Sequence, residues 1–203
     1  MTGSTRLPFW LLLAACVATA ALILLLTPSE RTIGQVIKIV YLHGALSRAG
    51  MIGFIAAGAT GAAYLVSRNP ALERWSWALL LSGWGFWTAH FLVSMPATRL
   101  TWGPWIAWGE PRVTMTLQII AAGLVMILVS VLVRDPRVTA LAGIGIGLVT
   151  LVMAGRTGVI RHPLDPIGSS PSATLRLVYL LLLVPLIAAM FLIAGRLAAR
   201  SRT

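Results

Sequence analysis

Three tryptophans recur at every third position in the segment LTWGPWIAWGEPRV, residues 100–113. Trp102, Trp105 and Trp108 are three of the eight tryptophans in the chain, and glycines and prolines separate them. Glycine and proline interrupt helices, so the segment is typical of a loop. Large flat rings on a loop can pack against the face of another flat, apolar group. These residues could therefore bind a planar ligand.

Three histidines are candidate metal ligands, because a neutral imidazole nitrogen binds transition metals. His43 stands in KIVYLHGALSRAG, His90 in WGFWTAHFLVSMP and His162 in GRTGVIRHPLDPIGSS. The prolines and glycines around His162 predict a loop, whereas His43 and His90 lie at or within apolar runs. A single histidine is more often a solvated or helix-end residue than a ligand. A histidine therefore indicates a metal site here only in combination with the other residues around it.

The composition places these residues in a membrane protein. The chain of 203 residues is 58% hydrophobic and 10% charged, with a mean hydropathy of +0.90, which leaves too little polar surface for a water-soluble globule. The net charge of +11 comes from basic residues scattered between apolar runs, so we read them as membrane-flank anchors and expect no nucleic-acid partner. Cys16 is the single cysteine, which excludes a disulfide or a zinc knuckle within the chain.

Six apolar runs approach the length of about 20 residues that a spanning helix needs. The sequence therefore predicts an all-α, polytopic membrane bundle, a single domain over residues 1–203 with an outer tryptophan-rich loop at 97–113. The first run exceeds the usual apolar core of a signal peptide, about 7–15 residues, so we expect it to span the membrane uncleaved. In the short fifth run, the GxxxG spacing of Gly143 and Gly147 predicts close helix packing. The runs lie near 9–26, 39–66, 75–95, 114–133, 138–154 and 174–195.

The basic residues also predict sidedness. The side that carries both termini holds more arginine and lysine than the other side, and the positive-inside rule makes it cytoplasmic. His43, the tryptophan loop and His162 then share the outer face of the cell membrane. The eight basic residues on the first side are Arg6, Arg68, Arg74, Arg134, Arg137, Arg196, Arg200 and Arg202, and the six on the other are Arg31, Lys38, Arg99, Arg112, Arg156 and Arg161.

Haem is a ligand that would use this combination of residues. It is a flat disc with two axial positions on iron and two propionates, which suit aromatic rings, imidazoles and cations respectively. A mononuclear zinc or copper site would leave the tryptophans without a role and is short of ligands. The chain also lacks a nucleophile elbow, a P-loop and a dinucleotide fingerprint, so we expect ligand handling rather than catalysis.

The tryptophan segment resembles the signature of the cytochrome c assembly proteins, the WWD-domain haem-handling membrane proteins, in their six-helix CcmC-like branch. That signature runs approximately W-G-x-W-W-x-W-D-x-R-x-T. YLHGA at residues 41–45 is similar to the Y-I-H-V-P that opens the second helix of the family. The chain departs from the pattern at Ala45, Ile106, Gly109 and Glu110. The residues that match the signature are Trp102, Gly103, Trp105, Trp108, Arg112 and Thr114.

The resemblance implies a transient haem site on the periplasmic face of the inner membrane. His43 and His162 would be its axial ligands, and the three tryptophans would cover the porphyrin. Arg112, with Arg161, would pair with the propionates. The family implies delivery to a periplasmic haem chaperone or to apocytochrome c, with subunits of an ABC-type transporter as further partners.

Two other kinds of protein remain as alternatives. A transporter, or a structural subunit of a larger membrane complex, would use the tryptophans as anchors at the lipid interface and need no haem. An integral b-type cytochrome would need histidines paired across the bilayer interior, where only His90 is even partly placed.

Overall fold

Six α-helices account for most of the chain in a computed structural model that describes residues 8–160, 167 and 170–200. No β-strand occurs among the residues described, and each helix is long and apolar enough to cross a membrane. The predicted all-α, multi-pass membrane bundle is therefore confirmed. The helices are α1 (Phe9–Leu26), α2 (Ile37–Ser67), α3 (Pro70–Trp102), α4 (Pro111–Val133), α5 (Pro136–Arg156) and α6 (Ala173–Arg200).

Two tight turns reverse the chain at one end of the bundle. Arg68 and Arg134 follow α2 and α4 in the left-handed conformation, each with φ of 56°. The side chains of Asn69 and Asp135 then accept the N–H groups of the next helices, where proline occupies the first helical turn. Turns this short make α2 and α3, and likewise α4 and α5, antiparallel neighbours.

The connections at 27–36 and 103–110 follow α1 and α3 and so belong to the opposite end, which we call the loop end. Helix α5 ends and α6 begins at this end as well. A hydrogen bond between α2 and α6 agrees with this placement of the helix ends. The phenolic O–H of Tyr41, near the start of α2, donates to the carbonyl oxygen of Leu175, near the start of α6, at 3.3 Å. These two helices therefore both begin at the loop end.

Glycines let α2 pack closely against α3 and α5. A Cβ atom on Gly50 would lie 2.9 Å from the backbone nitrogen of Trp87. A Cβ atom on Gly143 would lie 2.8 Å from the carbonyl oxygen of Ala57, and one on Gly147 would also meet the backbone of α2. The predicted close packing around the GxxxG spacing is confirmed, and α2 is the central helix of the bundle.

The third helix is longer than predicted. The sequence placed it at 75–95, but α3 continues through Pro96 as far as Trp102. A spanning helix can absorb an internal proline because its neighbours can satisfy the freed backbone groups. Helix α3 ends at Gly103, whose φ of 94° favours glycine. The non-helical part of the predicted 97–113 loop is therefore 103–110, which we call the tryptophan loop.

Candidate functional site

Two of the three histidines contact each other near the loop end. His43 lies in the second turn of α2, and His90 lies in α3, three turns before its end. Their rings stack, with centroids 5.4 Å apart and planes inclined by 21°. His90 is a candidate metal ligand by residue type but not one of the two predicted axial ligands, so its contact with His43 is a new feature of the candidate site.

The glycine contact between α2 and α3 sets the position of both histidines. A Cβ on Gly83 would lie 3.1 Å from the carbonyl oxygen of Gly50, so the two backbones touch there. His43 precedes Gly50 by seven residues, and His90 follows Gly83 by seven residues. Seven residues make about two helical turns, or about 10 Å, so each histidine lies on the same face of its helix as its glycine. Because the helices are antiparallel, both histidines are displaced from the glycines toward the loop end. The histidines therefore meet two turns away from the glycine contact.

The hydrogen bond of His90 fixes the tautomer of its neutral ring. Nδ1 of His90 lies 2.8 Å from the carbonyl oxygen of His43. Since a carbonyl oxygen can only accept, Nδ1 carries the proton, and the lone pair of the neutral ring lies on Nε2. Nδ1 of His43 makes a longer contact, 3.4 Å, with the carbonyl oxygen of Ile39 in the preceding turn, which favours the same tautomer. In that tautomer Nε2 is the nitrogen that can bind a metal.

Buried tryptophans support His90 from the side of α4. The ring of Trp87 lies 5.6 Å from that of His90, and its Nε1 donates to the carbonyl oxygen of Thr116 at 3.3 Å. One turn away, Nε1 of Trp84 donates to the carbonyl oxygen of Ile120 at 2.9 Å. These bonds tie α3 to α4, and they place His90 between the His43 ring and a fixed indole.

The tryptophan loop has an inner and an outer face. The side chains of Trp105 and Trp108 are 57% and 67% exposed, whereas Ala107 and Glu110 are only 3% and 1% exposed. Trp102 is half-buried at the end of α3. Two indole rings are therefore presented outward, on a loop that is anchored from beneath.

Glu110 anchors the loop to the segment that follows α5. Both carboxylate oxygens of Glu110 lie 3.3 Å from the backbone nitrogen of Ile160, which donates to them. The side chain makes no capping bond to α4, although Glu110 stands at its N-cap. The predicted second ligand, His162, and the predicted cation Arg161 follow Ile160 directly in the sequence and lie outside the described residues.

Arg112 carries a buried donor without an acceptor. Its Nε is buried and has no hydrogen-bond partner among the described residues. Leaving a buried donor unpaired costs about 1–3 kcal/mol, and more for a charged group. An anionic group of a ligand would satisfy this donor. Nearby Arg99 is engaged already, since its guanidinium donates to the carbonyl oxygen of Gly103.

The first connection, 27–36, is a closed turn. The carboxylate of Glu30 accepts the N–H groups of Ile33 and Thr32 at 2.9 and 2.7 Å, and these bonds lower the pKa of Glu30 below its ordinary value. The ammonium group of Lys38 donates to the carbonyl oxygen of Leu25 at 3.1 Å and links the ends of α1 and α2. Glu30 is thus engaged within the turn, and Lys38 closes it across the two helix ends.

Metal-binding side chains do not cluster in the described part of the chain. No group of three or more histidine, cysteine or acidic side chains that could hold a metal ion occurs in the described part of the chain. A haem iron already has four nitrogen ligands and needs only axial ones. His43 and His90 do not hold one iron between them, because their ring faces are stacked, whereas opposed axial ligands point a nitrogen at the metal, about 2 Å away for imidazole.

No model of a known protein family matches this chain, and no curated protein matches it. The resemblance to the cytochrome c assembly proteins therefore depends on the matched residues themselves. Of these, His43, Trp102, Trp105, Trp108 and Arg112 all lie toward the loop end of the bundle.

Proposed function

We propose that this protein binds haem at the loop end of the bundle and hands it to a second protein. The observation that carries the proposal is the bond between Glu110 and Ile160, because it joins the tryptophan loop to the segment that leads to His162. An imidazole, exposed indoles and an arginine whose buried Nε has no acceptor among the described residues then belong to one end of the molecule. That combination suits a flat, apolar, anionic ligand that contains a metal.

His43 would supply one axial ligand and His162 the other. The contact of His43 Nδ1 with the helix backbone favours the tautomer whose lone pair lies on Nε2. The His90 ring stacks on the His43 ring. In this proposal His90 therefore lies beside the axial ligand His43 and does not itself bind the iron.

The outward tryptophans suit a carrier. Trp105 and Trp108 would pack on the porphyrin face, and Nε of Arg112 would donate to a propionate. Rings this exposed leave a bound ligand open to an acceptor protein, whereas a ligand buried between helices would be retained. The partners expected from the resemblance are a periplasmic haem chaperone or apocytochrome c, with ABC-type transporter subunits, and the positive-inside rule puts the site on the outer face of the inner membrane.

Absorption spectroscopy of the detergent-solubilised protein tests the proposal. We expect a Soret band with low-spin features, reduced haem content in His43→Ala and in His162→Ala, and partial recovery with added imidazole. Gln35→Ala, an exposed change in the connection before α2, is the matched control and should leave the spectrum intact. Absence of haem binding by the folded wild-type protein would overturn the proposal and favour a transporter or a structural subunit.

The described histidines favour the carrier over an integral b-type cytochrome. A cytochrome that moves electrons across the bilayer needs haems at separate depths, each held between facing helices. His43 and His90 instead lie at one level and contact each other.

A further inference from the structure

We infer that His90 is a positioning residue for His43, holding the His43 imidazole in the orientation from which Nε2 binds a ligand. The inference rests on the proposed function for the identity of that ligand, haem. The contact itself is independent of haem. His90 donates from Nδ1 to the carbonyl oxygen of His43 at 2.8 Å, and its ring lies against the His43 ring.

His43 needs such support because its own helix holds its ring weakly. The contact of its Nδ1 with Ile39 is 3.4 Å, which is long for a hydrogen bond. The last side-chain torsion of histidine is broad, and a contact of this length restricts it little. A nearly parallel ring against one face narrows that freedom. The hydrogen bond from Nδ1 of His90 to the carbonyl oxygen of His43 holds the His90 ring in place against the His43 ring.

A polar side chain at position 90 also has a free-energy cost, which points to a function for His90. It lies in a membrane-spanning helix, next to the buried ring of Trp87, where an apolar side chain would need no hydrogen-bond partner. Polar side chains within spanning helices are expensive and commonly functional. The hydrogen bond of Nδ1 goes to the backbone of the proposed ligand residue.

A purely structural role for His90 predicts a different result. If His90 only tied α3 to α2, replacing it would lower stability without changing the ring of His43 or its ligand. A positioning role predicts a change at His43 that does not scale with stability. Outer-shell partners of metal-binding histidines typically contribute about 10–100-fold to affinity, which sets the expected size of the effect.

His90→Asn and His90→Gln form the matched pair for the test. The side-chain N–H of asparagine can occupy the place of Nδ1–H, whereas glutamine is one carbon longer and displaces the donor. Ser76→Ala is the structural control, because it removes a buried bond between the same two helices, from Ser76 Oγ to the carbonyl oxygen of Ala57 at 2.8 Å, fourteen residues before His90. Three readouts are needed: thermal unfolding in detergent, the ring ¹⁵N resonances of His43 in histidine-labelled protein, and titration with haem followed by its low-spin EPR signal.

We expect His90→Gln, which loses the ring and displaces the donor, to shift the His43 ring resonances, weaken haem binding about tenfold and broaden the EPR signal. His90→Asn keeps the donor but lacks the ring, so its effects should lie between those of glutamine and the wild type. Ser76→Ala should lower the unfolding temperature alone. Unchanged His43 resonances and haem affinity in His90→Gln would overturn the inference. If the wild-type protein binds no haem while His90→Gln still shifts the His43 ring, the proposed function fails and the positioning role stands. If glutamine prevents folding, His90→Asn decides: because it lacks the ring, His43 resonances identical to those of the wild type would overturn the inference.

Discussion

The carboxylate of Glu110 and the backbone N–H of Ile160 join two connections that are 50 residues apart in the sequence. Glu110 ends the tryptophan loop, and Ile160 lies between α5 and α6. Glu110 itself is buried, at 1% exposed, while the indoles of the same loop are exposed. The loop can therefore present its rings outward without losing its position relative to Ile160.

Removing this carboxylate should weaken ligand binding more than a comparable change elsewhere. Glu110→Ala removes the charged acceptor of the Ile160 N–H, and a hydrogen bond to a charged group typically contributes about 1.5–3 kcal/mol. Glu110→Gln keeps one carbonyl oxygen and should be intermediate. Asp135→Ala is the control, because it removes the N-cap of α5 at the opposite end and costs about 0.5–2 kcal/mol. Thermal unfolding and haem dissociation rates should separate them: both alanine variants lose stability, but only the Glu110 variants release haem faster. Equally fast release from Asp135→Ala would contradict a local role for Glu110.

Gly50→Ala should disturb the histidine pair from a distance. The added Cβ would lie 2.9 Å from the backbone nitrogen of Trp87, so α2 and α3 must separate. We expect a loss of about 1–3 kcal/mol, typical of overpacking, together with a weaker contact between His43 and His90. Gly85→Ala is the control, because nothing lies within 4 Å of its Cβ and alanine favours a helix. Chemical denaturation and the ring resonances of His43 measure both effects. A Gly50→Ala protein as stable as Gly85→Ala would show that the helices are not in close contact there.

The number and placement of the helices could be predicted because the bilayer imposes length and hydrophobicity on each span. The predicted first helix, 9–26, matches α1, and the predicted fourth, 114–133, differs from α4 only at its start. The glycine pair of α5 likewise indicated close packing. Such features depend on local sequence alone.

The partner of His43 could not be predicted in the same way. Which face of α3 meets α2 depends on the contact between Gly50 and Gly83, and these residues belong to different helices. The seven-residue spacing from each glycine to its histidine is visible in the sequence, but it becomes meaningful only when those two glycines are known to touch. The anchoring role of Glu110 was hidden for the same reason, since Ile160 contributes a backbone group that any residue carries.

Replacement of Trp105 and Trp108 by phenylalanine distinguishes a ligand surface from an interfacial belt. Belt tryptophans need only a ring near the headgroups and tolerate phenylalanine. If the exposed indoles pack on porphyrin, the double variant should retain haem about fivefold less well, because the larger ring surface is lost. The control is double replacement of Trp10 and Trp75, which are exposed but belong to α1 and to the start of α3. Haem retention and membrane insertion are measured together. Equal effects of the two double variants on haem would favour the belt.

Single cysteines test whether the candidate site occupies one face of the membrane. In a Cys16→Ala background, cysteines at Gln35, Gly109 and Ala173 report on the three connections of the loop end, and all three positions are exposed. A membrane-impermeant thiol reagent should label them in intact cells if that end faces outward, as the positive-inside rule predicts. A cysteine at Ala199, exposed near the far end of α6, should be labelled only after the membrane is permeabilised. Labelling of Gly109 and Ala173 from opposite faces would separate the tryptophan loop from the segment around His162 by about 30 Å of hydrocarbon, and no single haem could contact both.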